Sequence, residues 1–467
     1  MMIQNVRLFI NGYEWGPAVA KLIVELDQEV SEVLVEGARV MTAGTPREIE
    51  QAFVSDAKGN PVSGASHFVT LDLSVSYDLE QHADVASPFG YDVASTHYTW
   101  VGGYEVVVAD LGLVLASDGS SETTSITLDA IERRLAPEAD LFSVRDSFGG
   151  EYQNPLTRKM TSLNLTYAAY EPPYVSESEI SPLIVWLHGQ GEGGTDIEVA
   201  LLGNEVTALT RPEIQSQFKT GSRTGAHVLV VQTPTYWMDE GDGTNGPGAG
   251  KSIFTEILMD TIQQYVDKHD RVDGSRIYLG GASNGGYMTL NMILNYPDIF
   301  AAAFPVCPAY SFYGFERTKD GNYRTMTDKY GRRRYVSSSE RCLSDDILKR
   351  IVDMPLWFVH AATDHVVVPF LTSEPTYRRL LRLGAENAWF SYFETVRGHD
   401  VADEKYSGHA SWMYLFNNEV ISVQNAEAVK TTGEYKPSDK LKGGKYKATD
   451  GVVEYANIFE WMNNQRR

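Results

Sequence analysis

One change of rhythm constrains this chain more than any single motif. Up to about residue 138 it is a succession of β-branched or alternating runs, and beyond that point apolar strands alternate with helices. The first part holds Ala18–Leu26 (AVAKLIVEL), Ser31–Gly37 (SEVLVEG), His67–Tyr77, Tyr104–Leu115 and Thr123–Ala130 (TTSITLDA). Turn clusters such as DAKGNPVSG separate them, and no amphipathic helix intervenes. Short strands divided by turn signals predict an all-β sandwich over residues 1–138.

From residue 139 to 467 the pattern predicts a mostly parallel sheet covered by helices on both faces. After two strands (DLFSVRD and MTSLNLTYAAY) come the buried strand PLIVWLHG, the helical DIEVALLGNEVTAL, the strand AHVLVVQTP and the helix SIFTEILMDTIQQYVDKH. RIYLGGAS, the helix GYMTLNMILNY, AAAFPVC, PLWFVHAATD, AWFSYFET and a last helix VEYANIFEWMNN complete the alternation. Two domains suit a chain of 467 residues, too long for one core of ordinary size. Two segments stand outside the alternation: a polar, Tyr- and Arg-rich stretch at 311–350 and a Lys-rich one at 426–450. The plain reading of each is a solvated surface excursion. The first also follows a sheet strand, where loops shape ligand sites.

Composition excludes several classes. A net charge of -22 argues against nucleic acid or an anionic membrane as partner, because phosphate binding needs a basic surface. There is no apolar run of membrane-spanning length. The opening MMIQNVRLFINGYEW has no signal-peptide core, which predicts a cytoplasmic protein if the chain starts here and a secreted one if it is a trimmed mature form. The two cysteines, Cys307 and Cys342, form no metal or redox motif, and a disulfide between them has nothing to support it.

Three glycine motifs compete for the chemistry. His188–Gly194 (HGQGEGG) contains G-x-G-x-x-G after a strand, but the acidic residue that should close the next strand is missing, since that strand runs into QTPTYW. Asn245–Ser252 (NGPGAGKS) imitates a phosphate loop and fails by one residue, with Asn245 where glycine is required. Gly281-Ala282-Ser283-Asn284-Gly285 is a G-x-S-x-G directly after the strand Arg276–Leu279 and directly before a helix. That context predicts a nucleophile elbow, a turn so tight that only glycines fit beside the serine.

A serine needs a base to take its proton and a carboxylate to orient the base, in the chain order Ser, Asp or Glu, His. Asp364 lies just past a buried strand, 81 residues after Ser283, where the alternative role is a turn residue or helix cap. Two histidines follow the last strand, His399 in VRGHD and His409 in YSGHASW. His188, His360 and His365 also lie at strand ends, but too early in the order or beside another motif. The oxyanion formed on attack needs two backbone donors: Asn284, which follows the serine, and Gln190, with Gly191 beside it, in the loop of the failed dinucleotide motif.

At these residues the chain resembles the α/β-hydrolase carboxylesterases that carry an N-terminal immunoglobulin-like domain, the esterase A group of thermophilic and clostridial bacteria. YEWGPAVAKLIVELD resembles that group's opening strand, and PLIVWLHGQGEGG, TYWMDEG, GGASNGG, VHAATDHVVVP and GHASW follow in its order. The resemblance spans nearly the whole chain and implies an α/β-hydrolase fold, His409 rather than His399 as base, and cleavage of short acyl esters. The 311–350 and 426–450 segments depart from the group's pattern.

The expectation is a serine carboxylesterase with Ser283, Asp364 and His409 as triad, Gln190 and Asn284 as oxyanion donors, and no metal or organic cofactor. Its partner is an ester substrate, small or polymer-linked, and self-association to a homo-oligomer is left open. A prolyl-oligopeptidase-type peptidase shares the elbow but is usually preceded by a propeller that 138 residues cannot build. A feruloyl or acetyl-xylan esterase would use the first domain as a carbohydrate module, with Tyr91, Tyr98, Trp100 and Tyr104 as a sugar platform, although sandwich aromatics are more often core. A non-enzymatic binding protein on a dead scaffold conflicts with an intact set of reactive residues.

Overall fold

A computed structural model describes every residue except 1, 79–82, 85–86, 132, 175–178, 220, 330, 332 and 402–404. The chain divides into two compact units, Met1–Leu141 with Leu201–Thr207, and Phe142–Ala200 with Ala208–Arg467.

The first unit is a β structure joined by one exceptionally long strand, Gly16–Leu34. The first half of this strand pairs antiparallel with Ile3–Tyr13 and Ser66–Leu73, and its last residues, Val30–Leu34, pair with Val106–Leu115. The runs expected as two strands, Ala18–Leu26 and Ser31–Gly37, are therefore one strand that serves both halves of the unit. The exposed Asp27–Glu29 mark where it switches, and the pairing register breaks between Glu25 and Val30. Strands change sheets at irregularities of this kind. Alternate residues Val6, Leu8, Ile10, Leu22, Val24, Val69, Leu71, Val106 and Val108 are fully or almost fully buried and form the core.

The aromatic residues considered as a platform separate. Tyr104 is core. Tyr91 and Tyr98 face each other at 5.1 Å on the hairpin of Phe89–Asp92 and His97–Trp100, both at least one third exposed. Trp100 lies under the Arg134 guanidinium, 3.7 Å from it.

The second unit is built on eight strands, β1 (Val144–Gln153), β2 (Met160–Tyr170), β3 (Ser181–Leu187), β4 (His227–Gln232), β5 (Val272–Ala282), β6 (Ala302–Val306), β7 (Leu356–Ala361) and β8 (Ala388–Phe393). Their order is β1-β2-β4-β3-β5-β6-β7-β8. The pairs β1–β2 and β2–β4 are antiparallel and the rest parallel. Every residue of β3, β4, β6 and β7 is buried, as continuous apolar strands covered on both faces must be. The chain leaves β3 to one side for β4 and returns on the other for β5, so the reversal of strand order falls at the C-terminal ends of β3 and β5. Clefts in open α/β sheets form at such points.

Two helices flank this reversal. In α1 (Thr255–Lys268), Ile257, Leu258, Thr261, Ile262 and Tyr265 are buried while Glu256, Asp260, Gln263 and Asp267 face water, the stripe of an amphipathic helix. In α2 (Asn284–Asn295) all of residues 284–294 are buried, so it runs through the interior. The predicted helix DIEVALLGNEVTAL is interrupted: Ile197–Leu202 is helical, Glu205 has a positive φ, and a short 3₁₀ turn, Val206–Thr210, follows. The last predicted helix is confined to Ile458–Asn463. The sequence reading passed over α3 (Ser373–Leu383), whose Thr376, Tyr377, Leu380 and Leu381 are buried. Among the described residues no helix is long and apolar enough to cross a membrane.

Neither irregular segment is a simple solvated excursion. Within 311–350, Tyr313–Phe315 pairs with Ser337–Arg341 and Thr325–Thr327 with Arg333–Tyr335, giving two small antiparallel ribbons. Within 426–450, Ser438 donates its N–H to the Tyr392 carbonyl and the Tyr392 N–H donates to Gly443, so this stretch covers the outer edge of β8. Covering an edge strand removes a template for pairing with other chains.

Candidate active site

Ser283 stands between β5 and α2 with φ 57° and ψ −110°. A non-glycine residue there costs about 1–3 kcal/mol, and the surroundings must hold it in place. Its N–H donates to the Val306 carbonyl at 3.0 Å, and its own carbonyl accepts from Tyr287 and Ala309. A Cβ on Gly285 would lie 1.9 Å from the Leu187 carbonyl oxygen, so only glycine lets the helix start this close to β3. The pentapeptide is thus pinned to strands on both sides.

Asp364 follows β7 and is buried. One oxygen, Oδ1, accepts the backbone N–H groups of Val366 (2.8 Å) and Val367 (2.9 Å). The other, Oδ2, faces His409 Nδ1 at 2.8 Å and His360 Nε2 at 3.0 Å. His409 Nε2 in turn lies 2.9 Å from Ser283 Oγ. The structure therefore brings Ser283, His409 and Asp364 into one hydrogen-bonded line. The loop bearing His409 can approach because residue 408 is glycine: a Cβ there would meet the Thr363 carbonyl carbon at 2.4 Å and the Asp364 nitrogen at 2.6 Å.

The charges around this line oppose one another. Burial pushes the Asp364 carboxyl up, but the facing His409 and the hydrogen bonds from His360 and His409 outweigh it and hold the group well below the usual carboxylate range. Burial likewise disfavours a charged His409, while the Cys307 sulfur and the Asp364 carboxylate raise its imidazole well above the ordinary value. Asp364 so stabilises the imidazolium that forms when His409 takes a proton.

The other histidines go elsewhere. His399 is largely exposed, 3.2 Å from Glu419, and is not brought to Ser283. His365 is exposed. Buried His188 accepts the Thr233 N–H at Nε2 (3.1 Å), which leaves Nδ1 to donate to the Gly189 carbonyl at 2.6 Å. His360 is a member of the Asp364 cluster that the sequence reading set aside, and its only signal was one imidazole in an apolar strand.

Cys307 and Cys342 are both free thiols, so no disulfide joins them. Cys307 ends up buried beside His409, which nothing in its sequence context announced. Donor atoms of Cys307, Asp364 and His409 all lie within 4.8 Å of one another. The 2.8 Å between Nδ1 and Oδ2 suits a shared proton. Two ligands each about 2.0–2.2 Å from one zinc ion at a tetrahedral angle stand farther apart.

Gln190 follows β3 and Asn284 opens α2. The first N–H groups of a helix have no partner within it, so the start of α2 carries backbone donors. The NGPGAGKS stretch is packed rather than open: Tyr287 donates to the Lys251 carbonyl at 2.7 Å and Asn291 to the Gly250 carbonyl at 3.1 Å.

Comparison with known proteins fits this architecture. Residues 250–417 match the model of the prolyl oligopeptidase family, and residues 5–121 that of the esterase Ig-like N-terminal domain. Poly(3-hydroxyalkanoate) depolymerase C of Paucimonas lemoignei is 38% identical over 70 residues, covering 15% of this chain and 16% of that protein. Acetylxylan esterase A of Emericella nidulans is 35% identical over 104 residues, covering 21% and 32%. The chain thus spans less than a third of the length of either relative. A crystal structure of a thermostable esterase superposes with a TM-score of 0.64, at 20% identity and with 100% of both chains covered, which extends the likeness in fold to the full length.

Proposed function

We propose that this α/β-hydrolase with an Ig-like N-terminal domain is a serine carboxylesterase that cleaves short acyl esters through an acyl-enzyme. The observation that carries this reading is the line from Ser283 Oγ through His409 (2.9 Å) to Asp364 (2.8 Å), at the C-terminal edge of the sheet. As the Ser283 proton passes to His409 Nε2, Oγ bonds to the ester carbonyl carbon and the carbonyl oxygen becomes an oxyanion facing the Gln190 and Asn284 amides. Collapse breaks the bond to the alkoxide, which leaves as the alcohol with the proton from His409. Water then adds to the acyl group with His409 as base, Ser283 regains its proton, and the carboxylic acid departs. Asp364 holds His409 with Nδ1 protonated and Nε2 free to accept.

The local likeness to a poly(3-hydroxyalkanoate) depolymerase and an acetylxylan esterase favours a second reading, in which the ester is carried on a polymer. Hydrolysis of p-nitrophenyl acetate and butyrate, compared with acetate release from acetylated xylan and acid release from a polyester film, separates the two. Ser283→Ala should abolish turnover of every substrate with an unchanged circular dichroism spectrum. Substantial activity left in a folded Ser283→Ala protein would defeat both readings.

A further inference from the structure

The residue that spoils the apparent phosphate loop holds a different position of consequence. Asn284 Oδ1 accepts the backbone N–H of Met238 at 3.1 Å, and a backbone N–H can only donate. The orientation of the Asn284 amide follows, so its Nδ2 faces Asn245 and donates to Asn245 Oδ1 at 2.8 Å. Asn245 Nδ2 is then left to donate to Gln190 Oε1, at 2.7 Å. One backbone group thus sets the direction of three side-chain amides in series, and Asn245 joins the two residues whose main-chain amides face the oxyanion in the reading above.

The bridge is itself held from two sides. The Asp239 carboxylate gathers the N–H groups of Gly241, Asp242 and Gly243 within 3.0 Å, and Gly246 donates to the Met238 carbonyl, closing the 238–246 loop on itself. From the 311–350 segment, the Tyr335 hydroxyl donates to the Asn245 carbonyl at 3.2 Å. The Tyr335 ring packs edge-on against Phe315 and Tyr323, and the Tyr323 hydroxyl donates to Glu240 at 2.9 Å.

We infer that Asn245 is a positioning residue that fixes the spacing and aim of the two oxyanion donors, and that the 311–350 segment locks it through Tyr335. The inference rests on the serine esterase reading. Its chemistry is that of a rigid cradle: donors aimed in advance at developing charge act on the transition state more than on bound substrate.

The test is steady-state kinetics of Asn245→Ala, Asn245→Asp and Tyr335→Phe on p-nitrophenyl butyrate, with the affinity of each for a trifluoromethyl ketone and for butyrate. Misplacing a reacting group by about 1 Å costs up to about 10²-fold, so Asn245→Ala should lose roughly 10- to 100-fold in kcat with KM nearly unchanged. Affinity for the ketone, which forms a tetrahedral oxyanion adduct, should fall in parallel while butyrate binding stays constant. Tyr335→Phe should follow the same pattern more weakly. Asn245→Asp keeps the shape but cannot donate to Gln190 and brings a charge near the oxyanion, so it should lose at least as much as alanine. It also decides the matter if the alanine variant does not fold. Turnover within about twofold of wild type in a folded Asn245 variant, or a loss seen only in Tm, would overturn the inference. Activity that vanishes in Ser283→Ala but survives in Asn245→Ala would sink this inference alone, whereas activity that survives in Ser283→Ala would sink the esterase reading beneath it.

Discussion

His360 Nε2 and His409 Nδ1 converge on the same oxygen of Asp364, at 3.0 and 2.8 Å. His360 Nε2 also faces the Val367 carbonyl at 3.0 Å, so Nε2 carries a proton, and Nδ1 lies 2.7 Å from the Ser373 hydroxyl. His360 therefore donates to the same carboxylate oxygen that faces His409, and this hydrogen bond helps to hold the Asp364 carboxyl low.

His360→Ala removes that donor and leaves the Asp364 oxygen and the Ser373 hydroxyl short of a partner in a buried site. A buried polar group left unsatisfied costs about 1–3 kcal/mol, and the cavity adds to this, so the variant should melt several degrees below wild type. With one hydrogen bond fewer, the Asp364 carboxyl should rise toward its ordinary range. Equal Tm values for the two proteins would show that His360 is a bystander.

The charges on the line predict the pH profile. In the proposed mechanism His409 must be neutral to take the serine proton, and its imidazole is raised well above the ordinary value. The acid limb of kcat/KM should therefore have its midpoint above about 6.5, with activity rising as pH rises. Asp364, held low, stays charged throughout that limb. The stability signs are opposite. The Asp364 contribution is complete above about 3.9 and is lost as pH falls toward its depressed value, whereas that of His409 is complete below about 6.5 and is lost as pH rises through its raised one. Cys307 and Asp364 both raise His409, and Asp364→Asn removes the second contribution, so the limb should move to lower pH while kcat falls about 10⁴-fold. A wild-type midpoint at or below the ordinary histidine value would contradict this account.

Gly408→Ala tests the seat of the histidine loop. The added methyl would overlap the Thr363–Asp364 backbone at 2.4–2.6 Å, and backbone atoms cannot swing aside as a side-chain tip can. Moving the loop by about 1 Å should cost roughly 10²-fold in kcat. Because the displaced residues lie beside the acid, the chemical shift of the His409 imidazole should move as well. A fully active Gly408→Ala enzyme would mean that the loop adapts at no cost.

What was legible in the sequence, and what was not, follows the range of the interactions. The strand, turn and helix around Ser283 lie within 20 residues, so period and glycine spacing were enough to suggest an elbow. The two histidines after the last strand could not be told apart by spacing, because their difference is tertiary: His409 is carried to Ser283 across 126 positions and His399 to Glu419. His360, Cys307 and Asn245 were passed over for the same reason. Each sits in a locally ordinary context, an apolar strand, a strand end or a glycine loop, and gains meaning only from residues brought from far along the chain. The 426–450 segment read as solvated because its lysines are polar, yet its backbone covers the edge of β8, and backbone hydrogen bonding leaves little trace in composition.

The strain at Ser283 gives a prediction that separates stability from activity. At φ 57° and ψ −110° any side chain with a Cβ is disfavoured, and the cost is met by the packing of Gly285 against β3 and by the bonds to Val306 and Ala309. Ser283→Ala and Ser283→Gly both remove the hydroxyl and should both be inactive, but only glycine relieves the backbone. The glycine variant should therefore be more stable than the alanine variant by about 1 kcal/mol, part of the relief being offset by the greater freedom of glycine in the unfolded chain. Elsewhere in a helix or strand the same pair would rank the other way, because glycine is normally the destabilising choice. Urea denaturation of the two variants at equal m-value measures the difference directly. An alanine variant as stable as the glycine variant would mean that the turn around Ser283 relaxes in solution.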